Sequence, residues 1–207
     1  MKKSLIALAV LAASGAAMAQ SSVTLYGVVD TGLTYSKGEE SVYGMTHVGG
    51  NVNSRLGFRG VEDLGNGLKA TFNLEAGMGV DDGTDYFTGN GMAFRRTSTV
   101  GLAGNFGEVR LGRDETAAYN KLSAYSNFSV IGVGGFRGWN STVGDGIRQD
   151  NMIAYFTPNF SGFTAGVKYA FGESTQGGAY NRYVGGFAAY NNGPLSVTIG
   201  ADHKNGA

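Results

Sequence analysis

The sequence contains no cysteine, only 2 prolines in 207 residues, and beyond its first twenty residues no apolar run long enough to cross a bilayer as a helix. The missing cysteine excludes a disulfide-stapled scaffold, so stability has to come from backbone pairing and burial. The missing apolar run excludes a stop-transfer helix. An excess of either charge is lacking too: 16 basic residues balance 16 acidic ones, which argues against a nucleic-acid-binding protein or a polybasic membrane-surface protein. What abounds is glycine, 36 residues without a Gly-X-Y period, which suits an all-β chain with many turns and close strand crossings.

The chain opens MKKSLIALAVLAASGAAMAQ, in which Lys2 and Lys3 precede an apolar run over residues 5–13 and Ala17-Met18-Ala19 offers a cut before Gln20. This is the pattern of a secretory signal peptide over residues 1–19, too short to span a bilayer stably. Its removal takes two lysines and no acid, leaving 14 basic and 16 acidic residues, a net charge of about −2.

Nine later segments read as strands. In GLKATFNLEAG, Leu68, Ala70, Phe72, Leu74 and Ala76 alternate with Lys69, Thr71, Asn73 and Glu75, a period of two that gives a strand unlike faces. In GFTAGVKYAFG, Phe163, Ala165, Val167, Tyr169 and Phe171 alternate with Thr164, Gly166, Lys168 and Ala170. SSVTLYGVVDTGLTYS, NSRLGFRGVED, FRRTSTVGLAG, FGEVRLGR, RQDNMIAYFT, RYVGGFAAYN and PLSVTIGAD complete the set. No segment keeps a helical period for long.

The connections are sorted by length. Short ones hold turn residues such as Asn66-Gly67, Gly104-Asn105, Pro158-Asn159 and Asn192-Gly193-Pro194. Between them lie long ones over residues 37–52, 77–93, 114–147 and 173–181. In an antiparallel meander this strict alternation puts every tight turn at one end and every long loop at the other, as in outer-membrane barrels; a Greek-key sandwich has no reason for it. The apolar faces carry few charges until the loop ends, and a cation at mid-bilayer costs about 2–4 kcal/mol. Strands of about ten residues also match a tilted bilayer crossing. The expected fold is therefore all-β, a transmembrane antiparallel up-and-down β-barrel.

In such a barrel, strand parity selects the side chains that face water. The cations are Arg55, Arg59, Lys69, Arg95, Arg110, Arg148 and Lys168, with Asp30, Glu75 and Glu108 as acids on the same strands. Fixed charge of this balance in a narrow pore raises anion concentration and predicts a weak to moderate anion preference. The competing role for these cations is bracing a loop against the wall, for which Asp114, Glu115, Asp145 and Asp150 are available.

QSSVTLYGVVDTGL after the signal peptide, then NSRLGFRGVEDLGNGLKATFNLE, RRTSTVGLAGNFGEVRLGR and YFTPNFSGFTAGVKYAFGE, resemble in order the general diffusion porins of the β-proteobacterial outer membrane. The resemblance covers residues 20–205 and implies a sixteen-stranded barrel, a homotrimer in outer-membrane lipid, and a third outer loop folded inward, here residues 114–147. It also implies that arginines of the SRLG and RRST motifs stand at the constriction, here Arg55 and either Arg95 or Arg96; parity favours Arg95. Ending at HKNGA with nine strands, the chain reads as the N-terminal part of one longer barrel domain, 20–207, since barrels of this kind close with an even strand count.

The activity implied is passive diffusion of ions and small hydrophilic solutes, with a substrate-selective channel as runner-up and no cofactor, nucleic acid or catalysis. A barrel enzyme would need a nucleophile and a base on adjacent strand ends, yet no G-x-S-x-G elbow occurs. A soluble β-sandwich binding protein is the remaining rival. His47 and His203 have no carboxylate or cysteine at ligand spacing in the sequence, so no metal site is expected.

Overall fold

The computed structural model of the protein describes residues 22–39, 41–47, 49–85, 91–125, 147–172 and 181–205. Nine strands form one antiparallel sheet in the order β1 (Ser22–Val28), β4 (Arg55–Gly65), β5 (Leu68–Gly77), β6 (Thr97–Gly104), β7 (Gly107–Glu115), β8 (Arg148–Phe156), β9 (Phe163–Ala170), β10 (Tyr183–Asn192) and β11 (Leu195–Lys204). Apart from β2 (Leu33–Lys37) and β3 (Ser41–Met45), which pair only with each other, every strand neighbours its successor. The sheet is thus an up-and-down meander, with tight and long connections alternating as the sequence predicts.

Local chemistry fixes the tight turns. Asn66 and Gly67, at φ of 53° and 77°, form the two-residue link from β4 to β5. Both central residues in the left-handed region is the requirement of a type I′ turn, whose twist matches that of the flanking strands.

The two faces of the sheet differ as the alternation requires, and the exposed one is the apolar one. Val23 is 68% exposed, Val167 60% and Ile199 72%. Along β9 and β10 the residues of the opposite row up to Ala189 are buried or half-buried, among them Gly166, Lys168, Ala170, Tyr183 and Phe187. A soluble sheet would have the reverse arrangement.

Two elements depart from the sequence reading. The stretch read as one long first strand and a loop is broken at 29–32, and β2 and β3 form a separate hairpin with all residues exposed. Cross-strand pairs Leu33 with Met45 and Tyr35 with Tyr43 share one side of it, the two tyrosine rings 4.9 Å apart. A one-turn helix, α1 (Ala117–Leu122), with a 3-10 turn over Ser123–Tyr125, follows β7. Six residues are too few to show a helical period against the strands around them. Of the expected inward loop, residues 126–146 lie outside the described residues.

Helix α1 lies on the polar face of β9–β11 and is held there by atoms distant in sequence. The Ala117 N–H donates to the Tyr183 hydroxyl at 2.8 Å, that hydroxyl donates to Asp202 Oδ1 at 2.6 Å, and the Ala118 N–H donates to Asp202 Oδ2 at 3.1 Å. Thr116, at the N-cap position, makes no side-chain cap bond of its own, so β10 and β11 supply the acceptors that orphan helix N–H groups need. The approach demands glycine: a Cβ on Gly200 would sit 3.0 Å from Ala118 Cα, and one on Gly185 would overlap both the Tyr183 hydroxyl and Asp202. Ala117, Phe187 and Ala189, with Phe156 against them, make a small apolar cluster there.

The base of the first long loop is clasped by Asp30. Its carboxylate accepts the backbone N–H groups of Val52 and Asn51, both at 2.7 Å, while Ser54 Oγ bonds the Asp30 backbone in both directions. Those bonds, Val52 first, hold the Asp30 carboxyl below its ordinary value of 3.8. A depressed carboxylate stabilises the clasp above that ordinary value and loses the effect as pH falls through the lower folded-state pKa. The protection of the Asn51 and Val52 amides against hydrogen exchange, taken relative to the intrinsic rate at each pH, is therefore expected to fall on acidification, and Asp30→Asn should remove that pH dependence.

Candidate functional site

The polar face carries two groups of ion pairs around a cavity of about 460 Å³ lined by residues of β4–β7 and of α1. At one side stands Glu75 on β5. Its Oε1 accepts the Arg96 Nε–H at 2.5 Å, its Oε2 is 3.8 Å from Arg55 Nε, and the Tyr26 hydroxyl lies 3.0 Å from Oε2 while donating to Asn73. Register explains the gathering: Glu75 lies opposite Gly57 on β4 and Thr97 on β6, so Arg55 and Arg96 each stand near it. A Cβ on Gly57 would meet the Tyr26 ring at 2.4 Å; glycine leaves room for the ring to lie over the strand.

At the other side stand Arg110, Lys168 and Arg148. Arg110 binds Glu108 at 2.8 Å and Asp114 at 3.5 Å, and its guanidinium sits 4.7 Å from the centre of the Phe156 ring. Lys168, with its side chain fully buried, donates to Asp114 Oδ2 at 2.9 Å and to the Glu115 carbonyl at 2.7 Å. Arg148 binds Glu115 at 2.9 Å. Together the two groups hold five cations, Arg55, Arg96, Arg110, Arg148 and Lys168, against four carboxylates, Glu75, Glu108, Asp114 and Glu115. The cavity lining itself holds three of these cations, Arg55, Arg96 and Arg110, and three of the carboxylates, Glu75, Asp114 and Glu115.

Of the ten residues selected by parity, Arg55, Glu75 and Arg110 line this cavity. Arg59 stacks over the Tyr26 ring at 5.3 Å, Lys69 is exposed opposite Asp63 near the tight turn, and Glu108 binds Arg110 and the Thr71 hydroxyl. Asp30 belongs to the loop clasp. Arg113 reaches Asp150 and the Arg95 carbonyl outside the cavity.

One parity assignment is corrected. Arg96, not Arg95, turns to Glu75 and lines the cavity; Arg95 is exposed beside Phe94 and Arg113. The reason is that β6 starts at Thr97, so strand alternation does not extend back to these two arginines. Arg148 is buried beside Glu115 and does not line the cavity. Between it and Ile153 the register shifts, with Asp150 and Asn151 both opposite Arg113 and Asn151 at φ of 55°, a β-bulge in the strand. Tyr119, Asn120 and Ser123 of the helical segment also line the cavity, and no period in the sequence marks them.

Neither histidine has a carboxylate at ligand spacing in the sequence, yet in the fold two stand beside His47. His47 Nδ1 lies 2.7 Å from Asp81 Oδ1 and 3.8 Å from Asp82 Oδ2. Separation of 34 residues between His47 and Asp81 hid the cluster from any reading of spacing.

Comparison with known proteins accords with this geometry. Residues 5–207 match the family described as Gram-negative porin. The chain is 54% identical over 212 residues to outer membrane porin protein 32 of Delftia acidovorans, covering 97% of this chain and 59% of that protein. It is 34% identical over 221 residues to the major outer membrane protein P.IB of Neisseria meningitidis serogroup A, covering 99% and 60%. Among solved structures, an anion-selective porin from Comamonas acidovorans superposes with a TM-score of 0.79 at 47% identity, over 89% of this chain and 58% of that one. The chain thus spans about 60% of the length of these curated relatives. A meander with its apolar side exposed and its charges enclosed, matched along nearly its whole length, is a member of the Gram-negative porin family.

Proposed function

We propose that the protein is a water-filled channel for passive diffusion of ions and small hydrophilic solutes, anion-preferring and without covalent chemistry, assembled as a homotrimer. As a porin-family member it resides in the outer membrane. The observation that carries the reading is the inversion of the sheet: valines and isoleucines outside, ion-paired arginines and lysine inside. Anion preference rests on the surplus of one cation over the two groups of ion pairs, with Arg55 and Arg96 at one wall and Arg110 at another. The similar Comamonas protein is itself an anion-selective porin.

The test is a reversal potential in a salt gradient across a planar bilayer. For an ion about 10 Å from the changed group, the two unit charges altered by Arg55→Glu are worth about 0.8 kcal/mol in water, and about 0.3 kcal/mol after one Debye length at 0.1 M salt. Acting oppositely on anions and cations, this lowers the anion-to-cation ratio about threefold, and further at lower salt. Arg95→Glu, at an exposed position off the cavity, should change it less. An unaltered ratio in Arg55→Glu would remove Arg55 from the ion path.

A further inference from the structure

We propose that His47, Asp81 and Asp82 form a zinc site that staples the first long loop to the second. His47 follows β3, whereas the two aspartates lie in the connection after β5. One ligand atom from each, His47 Nδ1, Asp81 Oδ1 and Asp82 Oδ2, falls within 4.8 Å of the other two. Two donors bonded to a tetrahedral zinc at about 2.0–2.1 Å stand about 3.3 Å apart. The separations from His47 Nδ1, 2.7 and 3.8 Å, bracket that value, so an adjustment of about half an ångström at each carboxylate brings both to it, with the two carboxylates' ligand atoms within 4.8 Å of each other.

The surroundings fit a built site. Asp82 Oδ1 accepts the Thr84 N–H and the Thr84 hydroxyl, both at 2.9 Å, which orients the carboxylate, leaves Oδ2 for a ligand role, and holds the group below its ordinary pKa. The turn that presents the aspartates is closed by Gly79 N–H to Thr84 O at 2.7 Å and Gly83 N–H to Gly79 O at 2.8 Å. Gly79 itself is the floor: a Cβ there would lie 2.4 Å from His47 Cε1 and 2.7 Å from Asp82 Oδ1. Only a residue without a side chain lets imidazole and carboxylate converge above it.

The donor set selects the metal class. One imidazole with two carboxylates suits zinc and neighbouring first-row ions, whereas calcium takes six to eight oxygens and magnesium keeps an octahedral oxygen shell. The three side chains are 37%, 29% and 49% exposed, so water has access to the fourth tetrahedral position. Bound zinc would cross-link two loops that His47 already joins through its contacts with Asp81 and Asp82, and any ligand able to take the open position could be held at the loop surface.

The experiment uses the native protein extracted in detergent. Zinc binding is measured by calorimetry, and cobalt(II) substitution by visible absorption. The expected result is one zinc per chain and tetrahedral cobalt bands, with affinity reduced at least tenfold in His47→Ala, Asp82→Ala and Gly79→Ala, and unchanged in His203→Ala. Gly79→Ala keeps all three donors, so its loss of binding reports the floor and not ligand deletion. Wild-type protein that binds no zinc up to about 1 mM, or binding that survives His47→Ala or Gly79→Ala, overturns the proposal. The wild-type measurement decides the question even where a variant does not fold.

Discussion

Arginine in place of Val167 is expected to cost about 2–4 kcal/mol of barrel stability, read as a lowered urea midpoint for refolding into detergent or lipid. Val167 lies mid-strand on β9, 60% exposed, between Gly166 and Lys168 of the polar row. In a water-soluble protein, an exposed valine changed to arginine usually shifts stability by no more than about 0.5 kcal/mol. The same substitution therefore separates the two environments by several-fold, because in one of them the guanidinium has to leave water. Val100, 55% exposed at the middle of β6, should behave alike. Thr164, at the polar-row end of β9, should tolerate a charge with little loss. A near-zero change at both valines would place water, not acyl chains, against this face.

Lys168→Ala is expected to cost about 3–5 kcal/mol, the usual penalty for removing one partner of a buried ion pair. The ammonium has no exposed surface, binds Asp114 at 2.9 Å and the Glu115 carbonyl at 2.7 Å, and stands 5.4 Å from the centre of the Phe156 ring. Without it, Asp114 keeps only the longer 3.5 Å contact with Arg110 among its ion pairs, and the backbone leading into α1 loses its anchor on β9. The loss should appear as a lower unfolding midpoint together with faster hydrogen exchange in residues 117–122. A double-mutant cycle with Asp114→Ala isolates the pair: the double variant should be less destabilised than the sum of the single ones, because no charge is then left buried alone. Additive effects would show that Lys168 and Asp114 act independently.

The sheet was legible in the sequence because its signals are local. Val167 and Lys168 fall on opposite faces by a rule that needs only the residue two places away, and Asn66-Gly67 specifies its turn through its own backbone preferences. The site was legible only where such rules persist. Arg55 and Glu75 lie within strands, and parity placed both on the cavity wall. Arg96 lies one residue before β6, so alternation misdirects there. The helix α1 and the His47 cluster are set by partners 34 to 84 residues away. Nothing in TAAYNKL announces that Tyr183 and Asp202 will receive its backbone. The β2–β3 hairpin was hidden for another reason: its alternation continues that of β1, and only the break at residues 29–32 separates them.

The cap supplied to α1 by Tyr183 and Asp202 also dictates a sequence of events. The acceptors for the first helix amides are made of residues translated and threaded long after the segment that needs them, on strands that pair with β9 and with one another. Helix α1 cannot gain these caps while the late strands are absent, so its docking on the sheet follows the pairing of β10 with β11.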